Sequence, residues 1–381
     1  MNTSKITVVL LLIVATVFGQ QKITVENIYG GAFRAKGMDA LQSLKNTNQY
    51  TVLNVDQANR SMQIDLYDFA TLKKVSNLID TKNHAALSGG IDSYTFDASE
   101  KKILIACNSK KIFRHSFTAD YFLYDIASKS LTKLFDFQIQ EPTFSPDGTK
   151  IAYAKENNLY VYDLASKKST AITTDGKKNA IINGITDWVY EEEFAFVRAF
   201  DWSKDSKKVA YIRFDESQVP EFSMSIFHKD LYPTVETFKY PKAGEKNSVV
   251  SLHIYDTAGN TSKKVDLGNY NDFYIARLQW TNDNNTLSAQ VLNRHQSNLD
   301  LLFVDGTTAA AKVVLNEKDK AYVDVTDNLT FLKDNSFIWT SEKDGFNHIY
   351  HYDKTGKLKN QVTKGNWEVV SYYGFDEKTK T

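Results

Sequence analysis

Short apolar runs built from aromatic and β-branched residues recur along the chain, and turn-forming clusters of Asp, Asn, Ser and Gly separate them. Prolines are scarce, so little bars these runs from pairing, and the pattern predicts many antiparallel strands. The clearest unit begins at Phe144-Ser145-Pro146-Asp147-Gly148, a tight turn leading into Ile151-Ala152-Tyr153-Ala154. After Asn157-Asn158 come Leu159-Tyr160-Val161-Tyr162-Asp163-Leu164 and then Ala171-Ile172-Thr173. These predict three strands joined by hairpin turns.

The unit returns with variation. Phe96-Asp97-Ala98-Ser99-Glu100 precedes Ile103-Leu104-Ile105, Trp202-Ser203-Lys204-Asp205 precedes Val209-Ala210-Tyr211-Ile212, Trp280-Thr281-Asn282-Asp283 precedes Leu287, and Phe331-Leu332-Lys333-Asp334 precedes Phe337-Ile338-Trp339. Runs ending in Tyr-Asp follow at Tyr67-Asp68, Tyr124-Asp125, Tyr162-Asp163, Tyr255-Asp256 and Tyr352-Asp353. Recurrence at a pitch of about 50 residues predicts an all-β chain, a β-propeller of roughly six blades with about four strands each.

Two places break the pitch. The interval from Trp202 to Trp280 is too long for one blade, and its excess, about 222–248, holds Tyr232-Pro233 and Tyr240-Pro241, which do not suit a central strand. This segment is expected to be an arm projecting from a blade. The run Val369-Val370-Ser371-Tyr372-Tyr373 reads as the start of a further repeat just before Thr381. An open propeller would leave strand edges unpaired, so the natural product is expected to be longer.

Length alone does not fix the domain count, because β-rich propellers reach 381 residues as one unit. Lys plus Arg equals Asp plus Glu at 46 each, so nothing in the charge suggests a nucleic acid or an anionic surface as partner. Residues 1–20 stand apart: Lys5 precedes the apolar run from Ile6 to Phe18, and Gly19 is followed by Gln20 and Gln21. This reads as a secretory signal, predicting export to a periplasmic or extracellular place, with an uncleaved membrane anchor as the alternative. The single cysteine, Cys107, cannot form an internal disulfide and reads as a small buried strand residue.

The segment most suggestive of chemistry is Asp187-Trp188-Val189-Tyr190-Glu191-Glu192-Glu193. An acidic triplet is ordinarily a solvated turn. Here Trp188, Val189, Tyr190, Phe194 and Phe196 should anchor it against protein, holding some of the glutamates over a pocket. Neighbouring side chains diverge by about 100° on a helix and point to opposite faces on a strand, so adjacent glutamates share a small ligand only from a helical turn or a bulge. Two close carboxylates repel unless a cation sits between them, and the guest they suit is a compact cation with several N–H donors, such as an ammonium group.

Together with Arg114-His115-Ser116-Phe117-Thr118-Ala119 and with Asp215-Glu216-Ser217-Gln218-Val219-Pro220 followed by Lys239-Tyr240-Pro241-Lys242-Ala243-Gly244, the segment Gly184 to Glu193 closely resembles the dipeptidyl peptidase IV type of prolyl oligopeptidase serine peptidases. The matches are to that family's arginine motif, its dimerisation arm and its glutamate motif. The resemblance implies an eight-bladed propeller capping an α/β-hydrolase domain, with residues 21–50 packing beside the hydrolase and 51–381 forming the propeller. It implies that Glu192 and Glu193 grip the free α-ammonium of a peptide substrate, and that Arg114 binds the carbonyl between the first two substrate residues. Asp187, Trp188, Tyr190 and Glu191 would support the turn. Tyr322 and Val323 lie where the family lines its outer substrate pocket.

The family's nucleophile sits in a Gly-x-Ser-x-Gly elbow, and no such elbow occurs in this sequence. No catalytic residue is therefore assigned, and the chain alone is expected to be inactive. His115 reads as structural, and His348 and His351 point to opposite faces of a strand, so no metal site is expected. No cofactor is implied. The expected function is the propeller part of an exported X-Pro or X-Ala dipeptidyl peptidase, homodimeric when full-length. The alternatives are tripeptide release on the same scaffold and a non-catalytic propeller that binds peptides or a partner protein.

Overall fold

Five four-stranded antiparallel sheets, and a sixth whose first strand is split in two, follow one another along the chain at 41–80, 93–133, 140–171, 181–264, 273–318 and 330–361. The fourth is the split one. They are propeller blades laid down in sequence order. The computed structural model describes residues 22–35, 37 and 40–381; the expected signal at 1–20 lies outside them.

Burial follows position within a blade. Second strands pack between neighbouring blades on both faces, so Lys150–Lys155 and Thr286–Asn293 bury every residue between their ends. Outer strands such as Lys168–Ala171 and Thr261–Lys264 are exposed throughout. The repeated residues join blades and close turns. The indole N–H of Trp202 donates to the Thr143 carbonyl (3.2 Å), and that of Trp280 to the Asp201 carbonyl (3.1 Å), each reaching the blade before it. Gly148 turns with φ +67°, and Lys102 Nζ donates to its carbonyl (2.9 Å) from the preceding blade. In the Tyr-Asp pairs the aspartate closes the following hairpin: Asp68, Asp125 and Asp163 accept from the amides of Thr71, Ser128 and Ser166, each at 2.8 Å. Those bonds hold all three carboxyls below the usual aspartate range.

Some boundaries differ from expectation. The first blade begins with Leu41–Ser43, paired to Gln49–Asp56, so the expected start at 51 falls inside a strand. The third blade's outer strand is Lys168–Ala171, because the apolar Ile172 follows the strand instead of lying in it. Val369 to Tyr373 form no strand, and Val370 and Tyr373 are exposed. The excess in the fourth blade is a two-stranded hairpin, Glu221–Ile226 with Thr234–Lys239, which pairs with no other sheet among the described residues.

Cys107 is buried, and its thiol is pushed up to about 11, first by burial and then by Asp120 and Asp92. His348 is buried with Nε2 against the Gly365 carbonyl and Nδ1 against Thr363 Oγ1, both 3.0 Å, while His351 bonds Ser336 Oγ. Both histidines are thus taken up by structural hydrogen bonds. Among the described residues no helix is long and apolar enough to cross a membrane.

Candidate functional site

The innermost strand of the fourth blade is interrupted. Ile181–Asn183 and Phe200–Trp202 pair in turn with the same neighbour, Lys208–Asp215, and between them the chain leaves the blade and returns. The exit needs a residue without a side chain: Gly184 has φ +74°, and a Cβ there would stand 2.9 Å from Leu159 Cδ1. Thr186 and Val197 close the stalk through a 3.0 Å backbone bond, and Thr186 Oγ1 donates to the Phe196 carbonyl.

At the tip of the excursion lies the one-turn helix Trp188–Glu193. Asp187 caps it, with Oδ1 accepting from the Tyr190 amide (3.0 Å) and Oδ2 from Ser248 Oγ (2.6 Å). Burial raises the Asp187 carboxyl above its ordinary pKa. Tyr190 is buried among Phe194, Phe214 and Tyr274, and its hydroxyl accepts the Ile275 amide at 3.0 Å. Trp188 packs on Tyr240 of the segment leaving the arm, ring centroids 4.4 Å apart. These contacts fix the direction in which the three glutamates leave the helix.

Each glutamate has a different fate. Glu191 is 1% exposed, and its Oε1 accepts the backbone amides of His115 (2.5 Å) and Ser116 (2.8 Å). Glu192 reaches Arg114, with Nε 2.9 Å from Oε2 and 3.3 Å from Oε1; the arginine side chain is 71% exposed and the glutamate 16%. Glu193 is exposed and makes no side-chain hydrogen bond among the described residues. Arg114 itself stands on the hairpin between Lys102–Lys111 and Phe117–Asp125 of the second blade. Two blades that are not sequence neighbours thus meet at this point.

Arg114, Glu192 and Glu193 line one cleft of about 1100 Å³, together with Trp188, Val189 and residues of the arm. The arm supplies Phe222, Met224, Glu236, Phe238 and Tyr240 to the wall, and Arg294 and Gln296 come from the fifth blade. The resemblance implies only dimerisation for the arm and not this wall; the sequence signal for the wall is the set of aromatic residues Phe222, Phe238 and Tyr240. Tyr322 does not line the cleft. It is exposed, and only its neighbour Val323 is tied to the rim, through an amide donating to the Gln296 carbonyl at 2.7 Å. Glu236, Lys242 and Arg294 also line the cleft, and among these charges Glu192 and Glu193 set two adjacent carboxylates beside the Arg114 guanidinium, a set that matches a cation and, next to it, an oxygen acceptor.

Residues 97–381 match the family described as dipeptidyl peptidase IV (DPP IV) N-terminal region. The chain belongs to this family. Similar proteins include dipeptidyl aminopeptidase B of Saccharomyces cerevisiae, 29% identical over 84% of this chain and 40% of that protein. Among solved structures, dipeptidyl peptidase 4 of Porphyromonas gingivalis superposes with a TM-score of 0.87 at 35% identity, covering 94% of this chain and 51% of that one. This dipeptidyl peptidase IV N-terminal region thus spans about half, or less, of the length of those two relatives.

Proposed function

We propose that this chain is the propeller part of an exported dipeptidyl peptidase, and that it aligns peptides by their free N-terminus for release of X-Pro or X-Ala dipeptides. The observation that carries the reading is the pairing of Arg114 with Glu192 over a cleft that Glu193 also lines. Two carboxylates answer the charge of an α-ammonium, and the guanidinium, still largely exposed, keeps N–H donors for the carbonyl one residue further on. Serine, aspartate, histidine and oxyanion hole would come from an α/β-hydrolase domain of the full-length protein, so that this part contributes positioning and not bond-making.

Two exposed apolar regions fit that arrangement. The helix Val25–Tyr29 leaves Val25, Ile28 and Tyr29 uncovered, as a segment packing on a hydrolase domain would. The arm's turn exposes Phe227, Leu231 and Tyr232, which supports a homodimer formed through this hairpin.

Calorimetric titration of the chain with a Gly-Pro-leading pentapeptide, with its N-terminus free or acetylated, tests the reading. The free form should bind at least about tenfold more tightly, since acetylation removes the charge the carboxylates answer. Equal affinity for the two forms overturns it.

A further inference from the structure

Glu191 does more than stabilise the turn it sits in. Its partners are the amides of His115 and Ser116, 76 and 75 residues away on another blade. The next residue, Glu192, holds the side chain of Arg114 in the same loop. Consecutive carboxylates of one helical turn therefore grip one loop twice, Glu191 by its backbone and Glu192 by its guanidinium.

The loop has few other reasons to stand where it does. Ile112, Arg114 and His115 are exposed, and among the described residues the loop's remaining polar bonds are local: the Ile112 amide to the Ser116 carbonyl (2.9 Å), the Phe113 amide to Ser116 Oγ (3.1 Å), and Lys111 Nζ to the Arg114 carbonyl (3.1 Å). Those bonds shape the loop without attaching it to the fourth blade. Phe113 touches Phe238 of the arm, ring centroids 5.7 Å apart, which is a non-directional contact. Glu191 supplies the directional one. It does so at a cost, because its second oxygen, Oε2, is buried without a partner among the described residues, and an unmet buried acceptor is destabilising. A turn that needed only packing would be better served by an apolar residue.

We infer that Glu191 is a positioning residue: by holding the His115 and Ser116 amides it sets where the Arg114 guanidinium meets the bound peptide, and it acts on peptide affinity through Arg114 without touching the peptide. This rests on the amine-clamp reading above. In that role the acceptor oxygen matters more than the charge, so glutamine should replace it better than alanine.

The test is a double-mutant cycle on the chain, with Glu191→Ala, Glu191→Gln, Arg114→Ala and the corresponding double variants. Affinities for free and acetylated Gly-Pro pentapeptides are read together with amide exchange at His115 and Ser116. Glu191→Ala should speed exchange at both amides and weaken the free peptide by about tenfold, Glu191→Gln by about threefold, and either change should add less than about twofold once Arg114 is alanine. Should Glu191→Ala fail to fold, the cycle is completed with Glu191→Gln. Equal losses with and without Arg114, or unchanged affinity despite a loosened loop, overturn the role while leaving the clamp intact. A wild-type chain that does not prefer the free peptide removes the clamp, and this role with it.

Discussion

Arg114 Nε stands 2.9 Å from Glu192 Oε2, joining the second blade to the fourth across 78 residues of chain. The arginine is mostly solvated, so the pair is screened and should add less than about 1 kcal/mol to stability. Its value lies in the site. Glu192→Ala should leave the denaturation midpoint almost unchanged while weakening free-amine peptides by about 2–5 kcal/mol, the usual effect of removing one partner of a desolvated charge pair. Glu193→Ala should do the same. Calorimetry beside a urea curve separates the two effects, and equal losses in both would assign Glu192 to the scaffold.

Asp187 is the opposite case, a buried carboxylate whose two oxygens are both used. Losing it removes the helix cap at Tyr190 and the bond from Ser248, so Asp187→Ala should cost about 2 kcal/mol of stability. Because the helix carries the glutamates, peptide affinity should fall as well. Asp187→Asn keeps one acceptor and should recover part of both. Chemical denaturation of the two variants checks the order, which would be wrong if alanine and asparagine proved equivalent.

Much of this site was legible in the sequence because it is made of unusual side chains in a row. The acidic triplet within its aromatic flanks, the Tyr-Asp pairs, and Trp202 and Trp280 carry their structural reasons in residue identity: a capping carboxylate, a turn-closing aspartate, an indole donor to the preceding blade. What stayed hidden depends on groups that have no identity in a sequence. Glu191 binds backbone amides of His115 and Ser116, which any residue would offer. Outer strands such as Lys168–Ala171 are solvated and polar, so apolar periodicity pulled the expected strand toward Ile172. Leu41–Ser43 is too short to show a period. The arm's contribution to the cleft, through Glu236 and Phe238, arises from the way a hairpin folds back over a distant loop, which no spacing reveals.

Glu216 makes the stability of this chain depend on pH. The residue is 6% exposed and its carboxyl is pushed up to about 7, first by burial and then by the charge of Asp187, with Lys239 acting in the other direction. The folded protein thus holds this proton more tightly than the unfolded chain, whose carboxyl titrates near its ordinary 4.5. The contribution of Glu216 is therefore favourable at low pH, declines between about 4.5 and about 7, and is constant above that. Glu216→Gln keeps the shape of the protonated acid. It should match the wild type at pH 4 and be more stable at pH 8 by about 3 kcal/mol. Urea midpoints at the two pH values decide the matter, and parallel profiles would assign the dependence to other groups.

A two-stranded hairpin is barely stable alone, so the arm Glu221–Ile226 with Thr234–Lys239 must be held by what it packs against. One side is accounted for: Phe238 meets Phe113, and Tyr240, just after the hairpin, meets Trp188. The turn beyond is not, since Leu231 is 85% and Tyr232 80% exposed. Adjacent large apolar side chains at a projecting tip suit burial against a second copy. The full-length protein should therefore sediment as a dimer at micromolar concentration, and replacing Leu231 and Tyr232 together with aspartate should shift it to monomer. Because the same hairpin walls the cleft, the monomeric variant should also bind peptide more weakly, by a few-fold. A wild type that sediments only as monomer would leave those two side chains without a role in assembly.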